Sequence, residues 1–577
     1  MRILNLFICV RVDLKMATDV EKIFMADFET TTDLDDCRVW ASCVYHMESC
    51  ECVHLSNDID QFMDFSSKLG SGSLIYFHNL KFDGKFILSW LLLNGFTHSE
   101  ENKPKTFKTI ITDSGQWYQI EVVFRVVGQK RKKAHKIVFQ DSLKKLNFPV
   151  RTIASMYNLP ISKGEIDYTS HRPVGHELTE EEISYIKRDV EIVARALKLQ
   201  YETGMNKMTT SSDALSQYKK SIGGETQFLK LFPTLTIEQD SLIRKSYKGG
   251  WTYLKKGYSG KMVGEGCAYD VNSLYPSVMY YELLPYGYPK SFDGEYEQDD
   301  DYPLFIQFMS CQFKLKKDHL PCIQIKNSGR FVETEYLTSS GGETVDLVVT
   351  SVDLKLYQDH YDLYNVEYHG GFKFKGKVGL FKSYIDYWSE VKANSKGGMR
   401  TLAKLMLNSL YGKFATSPER KQKTPYLDGD IVSYKLNKEV EITEPIYTAM
   451  SCFITAYSRN KTIRTAQSVY GRFIYADTDS IHLTGFDIPD IEIHDSKLGA
   501  WKHEGDFTKA KFIRAKTYME HYVGHDKPEV KCAGLPDVCK EKVTFDNFKV
   551  GARFTGKLAP KTVKGGVVLV DTEFTIK

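Results

Sequence analysis

Residues 474–483 read I-Y-A-D-T-D-S-I-H-L. Asp477 and Asp479 stand one residue apart inside an apolar run, with Phe473, Ile474 and Tyr475 leading in and Ile481 and Leu483 leading out. The Asp-x-Asp spacing alone carries little, because it recurs at Asp33/Asp35, Asp58/Asp60, Asp299/Asp301 and Asp428/Asp430. Those four lie among acidic, Gly or Gln residues, as solvated turns do. Around Asp477 strand residues enter and leave instead, and alternate side chains of an extended chain share a face. Like charges held so close repel unless a cation or a proton lies between them. A hairpin tip offering paired acids to a divalent ion fits this stretch, and so does a plain acidic turn.

The chain has 577 residues, enough for more than one domain at roughly 100–200 residues each. Its 42% hydrophobic content allows sizeable cores. The net charge of +3 leaves a polyanion to be met by local patches rather than by an overall field. One basic run, Lys130 to Lys133 with His135 and Lys136, reads first as a hairpin turn. The 11 cysteines contain no C-x-x-C pair, which argues against structural zinc or a disulfide framework and for a reducing compartment. The apolar start is too short to span a membrane and lacks a cleavage site. Residues 1–20 read as an appendage, with Met16 an alternative start.

A second acidic constellation lies upstream. I-F-M-A-D-F-E at 23–29 reads as a strand placing Asp27 and Glu29 on one face. Y-F-H-N-L-K-F-D-G at 76–84 breaks from strand into helix at Asp83. Residues 179–200 form an amphipathic helix: Thr179 and Glu182 make a capping box, and Ile183, Ile186, Val190, Val193 and Leu197 a buried stripe. Tyr185 and Asp189, four apart, are neighbours on the adjoining face. Four acids and a tyrosine on two strand ends and a helix suit a two-metal phosphodiester hydrolase, with carboxylate oxygens as ligands and Tyr185 orienting water. Taken singly, each is as well explained by a cap or a solvated face.

Two further stretches accompany the opening one. In C-A-Y-D-V-N-S-L-Y-P at 267–276, Asp270 ends an apolar run. In the predicted helix 399–412, Arg400, Lys404, Asn408 and Tyr411 fall in one arc, while Leu402, Met406 and Leu410 lie opposite, facing a core. That polar stripe suits either solvent or triphosphate oxygens and a base.

D-F-E-T, H-N-L-K-F-D and Y-I-K-R-D resemble the three exonuclease motifs of the DEDD-type 3′–5′ proofreading domain of family B DNA polymerases. D-V-N-S-L-Y-P, K-L-M-L-N-S-L-Y-G and Y-A-D-T-D-S resemble motifs A, B and C of that family, in order. Y-K-G-G at 247–250, K-T-Y at 516–518 and T-A-Y-S-R at 455–459 resemble its linker, primer and template motifs; Ser458 departs from the last. The resemblance runs from about residue 21 to the C-terminus, and long stretches at 277–391 and 413–450 match the protein-primed polymerases of small tailed bacteriophages, phi-twenty-nine type.

The resemblance implies an RNase H-like α/β exonuclease over 21–205 and a right-hand polymerase over 206–577. Within the latter it implies a palm about 206–276 and 450–500 with strands near 265–280 and 470–485, a first insertion within 277–391, fingers about 390–412, a second insertion about 413–450 and a thumb about 501–577. Asp27, Glu29, Asp83 and Asp189 would hold the exonuclease metals with Lys163 and Tyr185 assisting. Asp270, the Val271 carbonyl and Asp479, supported by Asp477, would hold the polymerase pair. Mg²⁺ is implied, two ions per site, with Mn²⁺ possible. Lys392, Arg400, Lys404, Asn408 and Tyr411 would bind nucleotide, and Tyr275 would exclude a ribose 2′-OH. His78, Asn79, Phe82, Ser142, Leu143, Tyr247, Gly249, Gly250, Thr455, Arg459, Lys516 and Tyr518 would contact DNA. Asp353, in V-D-L of the first insertion, would contact a terminal protein whose hydroxyl primes synthesis. Strand displacement, a monomer or a heterodimer with that protein, and the cytoplasm of an infected bacterium follow from the same resemblance. A polymerase of another template class and a non-catalytic DNA-binding replication factor remain alternatives.

Overall fold

The computed structural model describes residues 22–128, 133–168, 170–325 and 336–577. The expected N-terminal appendage and Lys130, Arg131 and Lys132 of the basic run lie outside them.

An eight-stranded sheet organises the first third. The strand Ile23–Thr30 lies between its antiparallel neighbour Val39–His46 and its parallel neighbour Ser73–Phe77, which in turn pairs in parallel with Lys133–Asp141. Phe24, Ala26 and Phe28 face the helices Ile59–Lys68 and Leu80–Leu93. Ile23 and Met25 face the helix Glu180–Glu202, and the period of two carries Asp27 and Glu29 onto that same side. The predicted capping box is present, Thr179 receiving the Glu182 N–H and Glu182 the Thr179 N–H, and such a cap contributes about 1 kcal/mol.

A second sheet holds the strands expected of the palm. Its antiparallel path runs from Glu529–Cys532 through Thr517–Tyr522, Trp501–Arg514, Gly266–Val271, Ser480–Thr484 and Phe473–Asp477 to Thr252–Leu254. Cys267, Tyr269 and Val271 pack with Ile463 and Ala466 of the helix Thr448–Ser468, so Ala268 and Asp270 alternate onto the opposite face. Two expectations change here. The first palm strand stops at Val271, and Leu274–Tyr281 is helical, because Pro276 sits in a first turn where its missing N–H costs nothing. Three strands from 501 to 532, in the stretch expected to be thumb, join the same sheet as Gly266–Val271, and the separate hairpin is Arg553–Val563 with Gly566–Thr575.

The first insertion is a four-stranded sheet ordered Leu284–Phe292, Tyr361–Lys377, Leu304–Leu315, Val345–Thr350, with the helix Ser351–His360 leading into the long strand. The second insertion is built on the hairpin Lys423–Asp428/Ile431–Leu436, whose Tyr434 packs edge-on to Trp117 of the first sheet. The finger helices are Lys382–Asn394 and Gly397–Lys413. Gly398 is needed where the second of these helices meets the first domain, since a Cβ there would lie 2.6 Å from Tyr157. Lys145, fully buried, crosses the expected boundary to Asp213 and to the Met205 and Lys207 carbonyls.

Candidate active sites

The upstream acids converge as the sequence predicts. Glu29, Asp83 and Asp189 are buried, and Asp27 lies beside them at the same strand end. Asp83 arrives in the first turn of a helix entered through Asn79, whose φ of 76° turns the chain sharply. Burial, then the nearby Asp189, pushes Asp27 up to about 7. Burial and then the Asp27 charge raise both Glu29 and Asp83. Lys163 places its ammonium on Asp189 Oδ2 and 5.5 Å from the Tyr185 ring centroid. Asp189 Oδ1 is buried with no hydrogen-bond partner.

Among the described residues no three His, Cys, Asp or Glu side chains form a ready-made metal cage. The donor set nevertheless fits a hard divalent cation: all oxygen, buried, mutually repelling, with one oxygen orphaned. One functional candidate escaped the sequence. Tyr168, in an irregular loop, hydrogen-bonds Tyr185 hydroxyl to hydroxyl at 2.7 Å, and no periodicity marks such a residue.

In the palm, Asp270 lies opposite Ser480 in register, and the Val271 N–H donates to the Asp479 carbonyl at 2.8 Å. Asp477 and Asp479 flank a hairpin turn whose Thr478 takes a positive φ of 62°, and the turn lies against Asp270. Burial, then Asp479, pushes Asp270 up to about 7. Burial also raises Asp479. Asp477 is held differently, accepting from the Thr252 hydroxyl at 3.0 Å with Lys516 at 3.5 Å.

Arg400, Lys404 and Asn408 form an exposed stripe on their helix, with Leu402, Met406 and Leu410 buried opposite. Lys392 joins them from the neighbouring helix: Arg400 donates to its carbonyl at 2.6 Å. Burial, then the Lys404 and Arg400 charges, lowers the Lys392 pKa. Among the described residues no acid pairs with these three cations. Tyr411 stacks on Tyr275, centroids 4.0 Å apart. Tyr518 packs against Tyr475, and Lys516 donates its N–H to the Tyr475 hydroxyl.

Beside the first acidic site Asn79 is exposed, and His78, Phe82 and Leu143 are partly so. Asp141, which the sequence did not single out, receives the N–H groups of Asn79, Leu80 and Leu143 and so joins the two motifs. Ser142 is fully buried and its hydroxyl serves the Phe77 carbonyl, because it follows directly on a central strand. Its side chain is therefore not on a DNA-facing surface. Thr455 is likewise enclosed, its hydroxyl turned back to the Ser451 carbonyl. Arg459 and Asp353, expected to meet DNA and a terminal protein, are both buried and bind each other. Tyr247 and Gly250 are half-buried and Gly249 is exposed.

A family described as DNA polymerase type B, organellar and viral, matches residues 70–498, well over half of the chain. The chain belongs to this family. This type B polymerase is 49% identical over 576 residues to the DNA polymerase of Bacillus phage B103, with 96% of its own length and 100% of the relative's covered. It is 34% identical to the DNA polymerase of Streptococcus phage Cp-1, covering 96% and 98%. Its fold matches phi29 DNA polymerase, solved with primer-template DNA and incoming nucleotide substrates, at a TM-score of 0.92 and 48% identity, covering 96% and 100%. The chain is thus a DNA-directed DNA polymerase of the phage type, with an exonuclease domain ahead of the polymerase domain, and polymerases of this family depend on divalent metal. The other-template reading falls with that membership.

Proposed function

We propose that this polymerase replicates viral DNA from a protein primer, displacing the non-template strand and proofreading through its 3′–5′ exonuclease. The observation that carries the synthetic reading is the approach of Asp270 to the Asp479 turn across one backbone hydrogen bond. Asp270, the Val271 carbonyl and Asp479 would hold two Mg²⁺ ions, with Asp477 in support, and Asp27, Glu29, Asp83 and Asp189 a second pair. Bound there, divalent ions supply positive charge against phosphate oxygens and favour deprotonation of the attacking hydroxyl or water.

The chain's own residues do the rest. Lys392, Arg400 and Lys404 draw the triphosphate, and their mutual repulsion is relieved by that anion. Asn408 sits on the same stripe. Tyr411 offers its ring to the incoming base, and Tyr275, stacked beneath it, occupies the space a ribose 2′-OH would need. In the exonuclease, Tyr185 and Tyr168 together orient water, while Lys163 on Asp189 opposes the rise that burial gives its carboxyl. Asn79, Phe82 and Leu143 receive the single-stranded 3′ end, with His78 bracing the pocket against the Phe148 carbonyl. Gly249, Lys516 and Tyr518 track the primer-template backbone. The working unit is a monomer, or a heterodimer with the terminal protein, in the cytoplasm of the infected host.

A 5′-labelled primer on a longer template, incubated with Mg²⁺ with and without dNTPs, tests both activities in one gel. Extension with dNTPs and 3′ shortening without them are expected. Shortening without extension refutes the polymerase assignment, and an unchanged primer in both lanes restores the non-catalytic binding factor.

A further inference from the structure

Asp353 has no surface to offer a partner, and its actual contacts point inward. It lies in the first turn of the helix Ser351–His360, capped by Thr350. Both carboxylate oxygens receive Arg459 Nη2, at 2.9 and 2.8 Å. Arg459 Nη1 reaches the other way, donating to the Lys248 and Gly249 carbonyls at 2.7 and 2.9 Å. Lys248 in turn sends its ammonium to the Tyr357 hydroxyl, one turn beyond Asp353, at 3.1 Å. One guanidinium therefore ties the first insertion, the palm helix Thr448–Ser468 and the Tyr247–Gly250 turn together.

That turn leads directly into the catalytic hairpin. The Thr478 N–H donates to the Trp251 carbonyl at 2.8 Å, and the Thr252 hydroxyl donates to Asp477. Gly250 is packed so closely that a Cβ on it would lie 2.7 Å from Thr478 side-chain atoms. The palm helix grips the same hairpin through the Thr462 hydroxyl, which donates to the Thr478 carbonyl at 2.8 Å.

We propose that Asp353 and Arg459 are positioning residues for nucleotide addition: they clamp the 248–250 turn and, through it, the hairpin that carries Asp477 and Asp479. The first insertion is then mechanically part of the polymerase site. The chemistry requires arginine, because a planar fork can serve a carboxylate with one arm and two carbonyls with the other, whereas an ammonium cannot span them. It also requires the acid. Without Asp353, Arg459 and Lys248 are two inward-facing cations with no carboxylate between them, and the guanidinium has no reason to hold its place.

The inference rests on the polymerase reading above, and one set of assays separates the two. The full chain, Asp353→Asn, Arg459→Lys and the double variant are compared for kcat and dNTP KM on a primer-template, and for excision of single-stranded DNA. Each single variant is expected to lose at least tenfold in kcat, with dNTP KM and excision within twofold of the parent. The double variant is expected to be no worse than the poorer single, since both break one linkage. Parent-like kcat in Arg459→Lys, which keeps a charge beside Asp353, overturns the proposal, as does equal loss of synthesis and excision. Should neither single variant fold, Thr462→Val removes the next contact without unpairing a charge: tenfold lower kcat with excision spared supports the clamp, and unchanged kcat overturns it. A parent that fails to extend refutes the polymerase reading instead.

Discussion

Removing the Asp270 charge should stabilise the metal-free protein, and only at the pH where that charge exists. Burial and the neighbouring Asp479 raise Asp270 from 3.8 to about 7. The folded state therefore prefers the neutral acid. Its contribution is fully present below the unfolded value near 3.8 and is lost as pH rises through about 7. At about 1.4 kcal/mol per pH unit, the full rise corresponds to about 4 kcal/mol. The carboxylate is partly open to solvent, so screening reduces this to roughly 2 kcal/mol. Asp270→Asn cannot ionise and escapes the loss. In a chelator-containing buffer, parent and variant are unfolded at pH 4 and pH 8, following the palm transition separately because a chain of several domains need not unfold in one step. The variant's advantage is expected to grow by roughly 2 kcal/mol between those pH values. An excess of Mg²⁺ at pH 8 should stabilise the parent more than the variant, since binding to the folded state alone adds stability. A variant-minus-parent difference that does not change with pH would refute the buried-acid argument and weaken the case for a cation there.

The two active sites should separate genetically. Asp479→Asn is expected to lower primer extension about a thousandfold, roughly 4 kcal/mol of barrier, while excision stays near parental, and Glu29→Gln to do the reverse; the gel described above reads both, and parallel losses would indicate misfolding. Tyr168→Phe deletes the hydroxyl that meets Tyr185 and is expected to slow excision roughly tenfold, about 1.4 kcal/mol, without touching synthesis; single-turnover shortening of a labelled oligonucleotide checks it, and an unchanged rate would make the pair structural only.

Several elements were legible because their information is local. The capping box and apolar stripe of 180–202 announce that helix from seven side chains, and the 397–413 helix buries the residues its period assigns to a core. The acids of both sites were legible as ordered sets and not singly: each alone reads as well as a cap, a turn or a solvated face, and Asp83 and Asp189 lie on helices. Other readings failed where local pattern was silent. Nothing in L-Y-P-S-V-M-Y-Y distinguishes a strand from a short helix until the core on which Val278 and Met279 pack is known. Strands from 501 to 532 have the same pattern whether they join the palm sheet or a thumb, because pairing partners are chosen across the fold. Tyr168 and Asp141 act from loop and strand-end positions that carry no period.

By itself the sequence determined which residues carry charge and which segments alternate, hence two sets of acids, two sheets to hold them and the family to which the chain belongs. Only the tertiary structure decided which of those charges face a substrate. Asp353 and Arg459 look like surface residues in a linear reading, yet they are buried against each other where the first insertion meets the helix Thr448–Ser468, and Ser142 points into its own sheet. The physical reason is that burial of a polar group depends on finding a partner for it. That partner lies 106 residues away in one case and 65 in the other.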